Sequence, residues 1–300
     1  MRGKTKNQGL FWTRTKARGY LFLFVALSCY VFLVTPFSTY MQNKPFVEKI
    51  GNMPSIKLIQ FGAADQKTLV GELLILKVIM YFGGLMEENK AEYIIPPDYP
   101  AMSRVLHAAV KLDPYNMDAY YFGQSILVWD VGQIQLANNL LDYGMKYRTW
   151  DWYLPFFAGF NHAYFLKDFK QAAKYYRLAG ALSGSPLFSN LASRYMQESG
   201  QTDLALVYLS TMSKNAKNAA VKQVFDTRLA ALTAVKKIES ASAAFQHDLG
   251  RQAKSIAGLI DRGYLAKIPN DPYGGEFYLA PDGQVKTTSN FAFAKKIKKN

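Results

Sequence analysis

Cysteine is nearly absent from this chain. Cys29 is the one example in 300 residues, which excludes an internal disulfide and any thiolate-rich metal site. Histidine is scarce too: His107, His162 and His247 fall at unrelated places in predicted helices, so neither a three-ligand zinc site nor a catalytic triad has a constellation to form from. There is no Gly-x-Ser-x-Gly elbow (Gly180 to Gly184 reads GALSG), no phosphate-cradling loop, no Gly-x-Gly-x-x-Gly turn, no EF-hand loop and no His-Glu-x-x-His pair. Cys-x-x-Cys-His is missing as well, so haem cannot be attached covalently. Paired acids such as Glu87 and Glu88 lie in a polar turn, where solvation accounts for them. The sequence predicts no cofactor, no metal and no enzyme.

Acids are the minority charge, 22 against 36 Lys and Arg, for a formal net charge of +14. Such an excess invites a nucleic-acid partner. Its distribution argues otherwise, because ten of the fourteen surplus charges sit at the two ends: Arg2, Lys4, Lys6, Arg14, Lys16 and Arg18 at the start, and Lys295, Lys296, Lys298 and Lys299 at the finish. The few aromatics nearby, such as Phe11 and Trp12, make no stacking platform. These ends suit anionic lipid headgroups or a cytoplasmic partner. No nucleic acid and no small-molecule substrate is expected.

What the chain does have begins with Tyr20 to Phe37, YLFLFVALSCYVFLVTPF, a run without charge. As a helix it spans roughly 27 Å, close to the hydrocarbon thickness of a bilayer. Positive charge on its N-terminal side predicts a cytoplasmic N-terminus, with the rest of the chain outside the inner (plasma) membrane. A cleaved signal peptide would have a shorter run and an A-x-A site, and the run is followed by none. A lipoprotein start at Ala26-Leu27-Ser28-Cys29 is contradicted by the apolar residues after Cys29.

Beyond this span, residues 38–64 carry Pro45, Pro54, Gly51 and Gly62 and read as a linker. Leu69 to Phe82 is strongly apolar, but Glu72 and Lys77 interrupt it, so it reads as the buried first helix of a helical stack rather than a second span. A polar insertion with Pro96, Pro97 and Pro100 comes next. Then helices are predicted over Ala101–Leu112, Met117–Trp129, Ile134–Lys146, Tyr153–Leu166, Phe169–Leu182, Leu187–Gln197, Asp203–Met212 and 217–250. Asp113-Pro114 stops the first of these, since proline cannot continue a helix and the residue before it avoids helical angles. Three of the segments open alike: Ala137-x3-Leu141-x2-Gly144, Ala172-x3-Tyr176-x2-Ala179 and Ala205-x3-Leu209-x2-Met212, with a degenerate copy at Met102-x3-Leu106-x2-Ala109. Their openings lie 35, 35 and 33 residues apart. A repeat of that period with small residues at helical spacing means stacked helix pairs.

These residues resemble tetratricopeptide repeat (TPR) proteins. The best copy is Gly159 to Ala179, GFNHAYFLKDFKQAAKYYRLA, with Gly159 in its first helix, Asp168-Phe169 at its turn and Ala172, Tyr176 and Ala179 in its second. LHAAVKLDPYNMDAYYFG before it and NLASRYMQESGQTDLALVYL after it match again, so the likeness covers roughly residues 99–212. Gly144 and Met212 depart from the usual final alanine. The resemblance implies an all-α, TPR-like solenoid of helical hairpins with a concave groove lined by the first helix of each pair. Carried onto this chain, the groove residues are Tyr120, Gln124, Tyr153, Phe156, Phe160, Tyr164, Ser189, Ser193 and Gln197. With Trp150 and Trp152 nearby, the aromatic middle group would hold a peptide or helix of a protein partner.

The segment GYL, then IP-x-DP-x-GG, is similar to the end of type II secretion major pseudopilins. Gly19 precedes the apolar run as a pilin requires, but Phe24 stands where the glutamate belongs, so the chain is not read as a pilin. Phe277–Leu279 and Gln284–Lys286 flank Ala280-Pro281-Asp282-Gly283 as a predicted hairpin. The expected organisation is a basic tail (1–19), a transmembrane signal-anchor helix (20–37), a linker (38–64), TPR-like repeats (65–216), a closing helix (217–252), a hairpin element (253–289) and a second basic tail (290–300). The expected role is a membrane-anchored scaffold for protein–protein interaction in the bacterial cell envelope, of the secretion or type IV pilus kind. The alternative is an enzyme, or a subunit of one, with Asp271, Tyr273, Asp282 and His247 converging between the stack and the C-terminal element. Asp271 and Asp282 could also serve as oxygen ligands to a hard cation or as turn caps.

Overall fold

A computed structural model describes residues 6–42, 50–51, 53–85 and 96–291. Residues 1–5 of the basic start, part of the linker (43–49 and 52), the centre of the polar insertion (86–95) and the terminal lysines (292–300) lie outside the described residues. Among those described, the chain is mostly helical, with twelve α-helices and one two-stranded hairpin. Two compact units divide it: Met1–Asn52 with Lys77–Ala101, and Met53–Leu76 with Met102–Asn300.

In the first unit, α1 (Lys6–Gln42) is one unbroken helix, and its stretch Gly19–Tyr40 is long and apolar enough to cross a membrane. Every side chain from 19 to 40 is exposed. Thr35 Oγ1 donates to the carbonyl of Val31 (2.7 Å), one turn back and beside Pro36, which has no N–H to give.

The second unit opens with α2 (Ile56–Ala63), started by Ser55, whose Oγ accepts from the Leu58 N–H. This helix lies inside the stretch read as linker. α3 (Lys67–Gly84) comes after it, in this unit as far as Leu76, and then α4 (Tyr99–Leu112), in this unit from Met102. The buried helix expected at Leu69–Phe82 is corrected by α3: Gly71 and Ile75 are buried while Leu69, Leu73 and Leu76 are exposed. The physical reason is one-sided packing. The missing side chain of Gly71 lets its backbone lie against Ala109 and Asp113 of the α4 end, where a Cβ would come within 3.2 Å.

Helical hairpins come next. α5 (Met117–Ser125) is capped by Asn116, whose Oδ1 accepts from the Ala119 N–H (2.9 Å), and it runs on into a π-turn, Ile126–Asp130. α6 (Ile134–Met145) returns. α7 (Tyr153–Asn161) again runs into a π-turn, His162–Leu166, and α8 (Phe169–Ser183) returns. The two π-turns begin 36 residues apart, so the second hairpin repeats the backbone irregularity of the first. Asp168 caps α8 by accepting from the Gln171 N–H, and Gly184 ends it at a φ of 67°, where a side chain would be strained. α9 (Pro186–Glu198), α10 (Thr202–Lys214) and the long α11 (Ala219–Leu249) continue the zigzag, each packing on its neighbour in sequence.

Small residues sit where helices cross. Ala137, Ala172 and Ala205 are all fully buried. Gly123 of α5 faces Leu140 of α6, and Gly159 of α7 faces the Tyr176 ring of α8, the same contact one hairpin later. Gly144 is wedged between Tyr120 and Leu154. Large side chains fill the spaces these leave, among them Leu140, Leu141 and Leu154 in one cluster and Tyr176 and Phe188 in the next. Full burial of each leucine contributes about 1.5–3 kcal/mol.

The C-terminal part joins a third cluster. α12 (Ile256–Asp261) precedes β1 (Phe277–Leu279) and β2 (Val285–Thr287), which pair antiparallel with Phe277 opposite Thr287. The hairpin lies where the turn residues predicted it. Leu259, Phe277 and Val285 pack with Leu232, Val235 and Ile238 of α11.

A candidate partner-binding face

The first helices of the first two hairpins, α5 and α7, carry most of the predicted groove residues. Of these, Tyr153 (43% exposed) and Tyr164 (56%) reach the surface, while Phe156 and Phe160 are half-buried. Tyr120, Gln124, Ser189, Ser193 and Gln197 are buried, so in this structure they are interior residues that no partner touches. Tyr120 lies under Gly144, and its hydroxyl donates to the Pro114 carbonyl (3.0 Å). Ser189 accepts from the Tyr208 hydroxyl (3.2 Å), and Ser193 donates to the Asn190 carbonyl (2.8 Å). Gln197 Nε2 donates to the carbonyl of Val285 in β2 (3.2 Å).

The exposed stripe keeps Tyr153, Phe160 and Tyr164 of the predicted groove, and elsewhere it lies one residue further on, a rotation of about 100° around the helix. In α5 it is Tyr121 rather than Tyr120, and in α7 it is Tyr153, Phe157, Phe160 and Tyr164. Equivalent rings of the two hairpins touch: Tyr121 meets Phe157 at 5.6 Å, and Trp129 meets Phe165 at 5.2 Å, each pair 36 residues apart. Phe160 stacks on Tyr164 (5.4 Å, 8°) and tilts against Trp129 (6.3 Å). Trp129, Phe160, Tyr164 and Phe165 thus form one patch on the two π-turns, and Trp129 is 61% exposed. A π-turn widens the helix by one residue and re-aims the side chains beyond it. Sequence reading passes over Trp129, Tyr121, Phe157 and Phe165. The 36-residue equivalence of Tyr121 with Phe157, and of Trp129 with Phe165, is the signal that could have found them.

The two other predicted aromatics part company. Trp152 stacks on Tyr153 (3.9 Å) and packs against Phe188 (5.2 Å), tying the second hairpin to the third. Trp150 joins a separate group at the loops, stacked on Tyr115 (6.1 Å) with the Arg148 guanidinium 5.5 Å from its ring centre. Arg148 pairs with Asp151 (2.8 Å) and donates to the Tyr115 carbonyl, which fixes both loops. Beneath the face, burial pushes the Tyr120 and Tyr176 phenols well above their ordinary value, so these rings stay neutral. Burial and the Tyr147 hydroxyl raise Tyr143 to about 12. What such a face offers is apolar, π-rich area with phenol and indole groups at its rim, which suits binding by aromatic anchors.

Of the residues of the enzyme alternative, only Asp271 and Tyr273 bond to each other among the described residues. His247 is exposed and pairs with its neighbour Asp248 (2.9 Å). Asp282 accepts from the Gln284 N–H within its own turn (3.0 Å). Asp271 is buried, and its carboxylate is occupied by the Tyr273 N–H, the Thr287 hydroxyl and the Ser289 hydroxyl (2.6 Å). The bond from the Tyr273 N–H is that of a turn cap, and the two hydroxyls tie the carboxylate to the end of β2. The buried Arg228 lies in the corner between the Tyr273 and Phe291 rings, 5.0 and 4.7 Å from their centres, and Arg228 Nη2 donates to the Phe291 carbonyl (3.0 Å). Comparison with known proteins finds no family model and no curated protein that matches the chain.

Proposed function

We propose that the chain is a membrane-anchored, TPR-like scaffold that binds a protein partner through the aromatic face of α5, α7 and their π-turns. The observation that carries this reading is the contact of equivalent rings, Tyr121 with Phe157 and Trp129 with Phe165, because it makes one continuous exposed surface from two successive hairpins. Clustered exposed aromatics are what interface anchors are made of. The repeat spacing and the paired small residues support a TPR-like solenoid, and fold analogy then supports binding over chemistry, as an association only. α1 crosses the inner membrane once, with the N-terminus in the cytoplasm and the hairpins in the periplasm. That orientation rests on the basic residues before the span. Placement in a secretion or type IV pilus-type assembly rests on the likeness of residues 263–275 to pseudopilin ends.

The test is crosslinking in intact cells from a photoreactive residue at Phe160, compared with one at Tyr278 on the C-terminal hairpin. One defined adduct from Phe160, lost on Trp129→Ala, supports the reading. Capture from Tyr278 alone moves binding to the C-terminal element. A reporter fused to the C-terminus and active only in the cytoplasm reverses the topology.

A further inference from the structure

The aromatic face leaves a second apolar surface unaccounted for. α3 turns Leu69, Leu73 and Leu76 outward, each more than half exposed, and their spacing places them within about 60° of arc. α2 adds Leu58 and Phe61, one turn apart, and Phe61 is 84% exposed. Apolar stripes left in water mark an interaction surface. Three observations select the occupant. Residues 43–55 join α1 to α2 and reach about 45 Å at most, so a bilayer that holds α1 is within range of α2. An open pocket of about 460 Å³ lies between the start of α2 and α4, lined by Ser55, Ser103, Arg104, His107 and Lys111 with no carboxylate among its lining residues. Lys57 and Lys67 are exposed beside the apolar residues, whereas of the acids on this stretch, Asp65 and Glu72, the latter accepts from Asn116 Nδ2 (2.7 Å). Apolar side chains with a basic border are the composition of a helix that lies in a membrane interface.

We propose that α2 and the outer stripe of α3 dock on the bilayer surface, with Arg104 and Lys111 facing the phosphate of an anionic lipid headgroup. This rests on the reading of α1 as a membrane span, and the test separates the two. The full chain, with Cys29→Ser and Phe61→Cys, carries an environment-sensitive fluorophore at position 61. It is reconstituted in vesicles of phosphatidylcholine with or without phosphatidylglycerol, doped with nitroxide lipid. Expected is strong nitroxide quenching at position 61 with phosphatidylglycerol, several-fold less without it, and none for a label at Tyr278→Cys. Lys57→Glu and Lys111→Glu each lower the ratio of docked to undocked protein by about fivefold or more, the equivalent of one lost surface cation. A label at position 61 that stays in water in phosphatidylglycerol vesicles overturns the proposal. So does shielding from aqueous quencher without nitroxide quenching, since protein would then cover the face, and so does equal quenching in both lipids. A label on native Cys29 reports on α1 alone. Quenching of Cys29 by acyl-chain nitroxide with none at position 61 leaves the span standing and the docking refuted, while Cys29 open to aqueous quencher refutes both.

Discussion

α7 and α9 hold the same place in successive hairpins, yet they present opposite surfaces. Between the ends of α7 and its π-turn, Tyr153, Phe157, Phe160 and Tyr164 stand at the surface or half out of it. α9 has no π-turn, and Ser189, Ser193 and Gln197 are buried in it. Part of the difference is occupancy. Gln197 is spent on Val285 of the C-terminal hairpin, whereas Phe160 and Tyr164 meet only near neighbours of their own face, Trp129, Phe165, each other and the Lys167 ammonium 5.3 Å from the Tyr164 ring centre, among the ring contacts described. The comparison teaches that exposure along such a stack is decided by what later segments of the chain cover. The third hairpin is closed by its own C-terminal element, and the first two are left open.

The sharpest way to break the comparison is to attack what both helices share, their buried side. Leu154 of α7 is fully buried beside Gly144 and Ala158. Leu154→Ala should destabilise by about 2–5 kcal/mol through lost transfer energy and the cavity left behind. Denaturant unfolding of the full chain in detergent measures this, and a cost near zero would mean that α7 is not packed as described. Overfilling the same joint tests it from the other direction. A Cβ on Gly144 would come within 2.9 Å of both Tyr120 and Leu154. In Gly144→Ala an overpacking cost of about 1–3 kcal/mol is offset by the roughly 1 kcal/mol that alanine gains in helix propensity, so denaturant unfolding should show a net loss of about 0–2 kcal/mol rather than a gain.

Much of this packing is legible in the sequence because it is periodic. Ala137, Ala172 and Ala205 recur at nearly constant spacing, and tight crossings admit little else, so their burial can be anticipated. Asp113-Pro114 and Asp168 mark helix boundaries through local chemistry that needs no tertiary partner. α2 and the face are less legible. Ile56–Ala63 is short, follows Pro54 and contains Gly62, which hides a two-turn helix from pattern reading. Tyr153, Phe160 and Tyr164 are legible as face residues, whereas Tyr120 and Phe156 stand one position off Tyr121 and Phe157 because helical phase depends on which side the next helix covers, and the π-turns add a residue that no periodic template contains. Ser189, Ser193 and Gln197 fall in the groove by the repeat resemblance, but each is buried with a bond inside the protein, Ser193 to Asn190 within its own helix, Ser189 to Tyr208 and Gln197 to Val285 far along the chain.

Opening the closed hairpin sharpens the contrast at a smaller cost. Gln197→Leu removes the donor to the Val285 carbonyl and leaves that acceptor buried, for a loss of about 1–3 kcal/mol. The loss should concentrate in the C-terminal element, so hydrogen exchange should rise at β1 and β2 and not in α5 or α7. On the open side, Trp129→Ala should change stability by no more than about 0.5 kcal/mol, since the ring is mostly exposed. The same substitution should weaken capture of a partner from Phe160 by an amount equivalent to about 2 kcal/mol or more, as for an interface anchor. A variant that unfolds the protein, or one that leaves capture unchanged, would remove Trp129 from the face.

The smallest effect concerns the π-turn itself. His162 begins the turn, is buried against Tyr175 with ring centres 5.4 Å apart, and has Asp168 3.8 Å from its Nδ1. Burial lowers its pKa, and the opposing pull of Asp168 and Asp142 does not offset it. A depressed value means that the unfolded chain takes up the proton first. The stability that His162 contributes is therefore present above its unfolded pKa of about 6.5 and is lost as pH falls through the folded value. His162→Phe keeps a ring against Tyr175 and removes the titration, so its melting temperature should fall less than that of the parent between about pH 8 and about pH 5. Equal slopes would mean that His162 titrates alike in the folded and unfolded chain, the pull of Asp168 and Asp142 offsetting its burial. The contrast with α9, which lacks a buried titrating group at its own C-terminal end, would then carry no pH dependence.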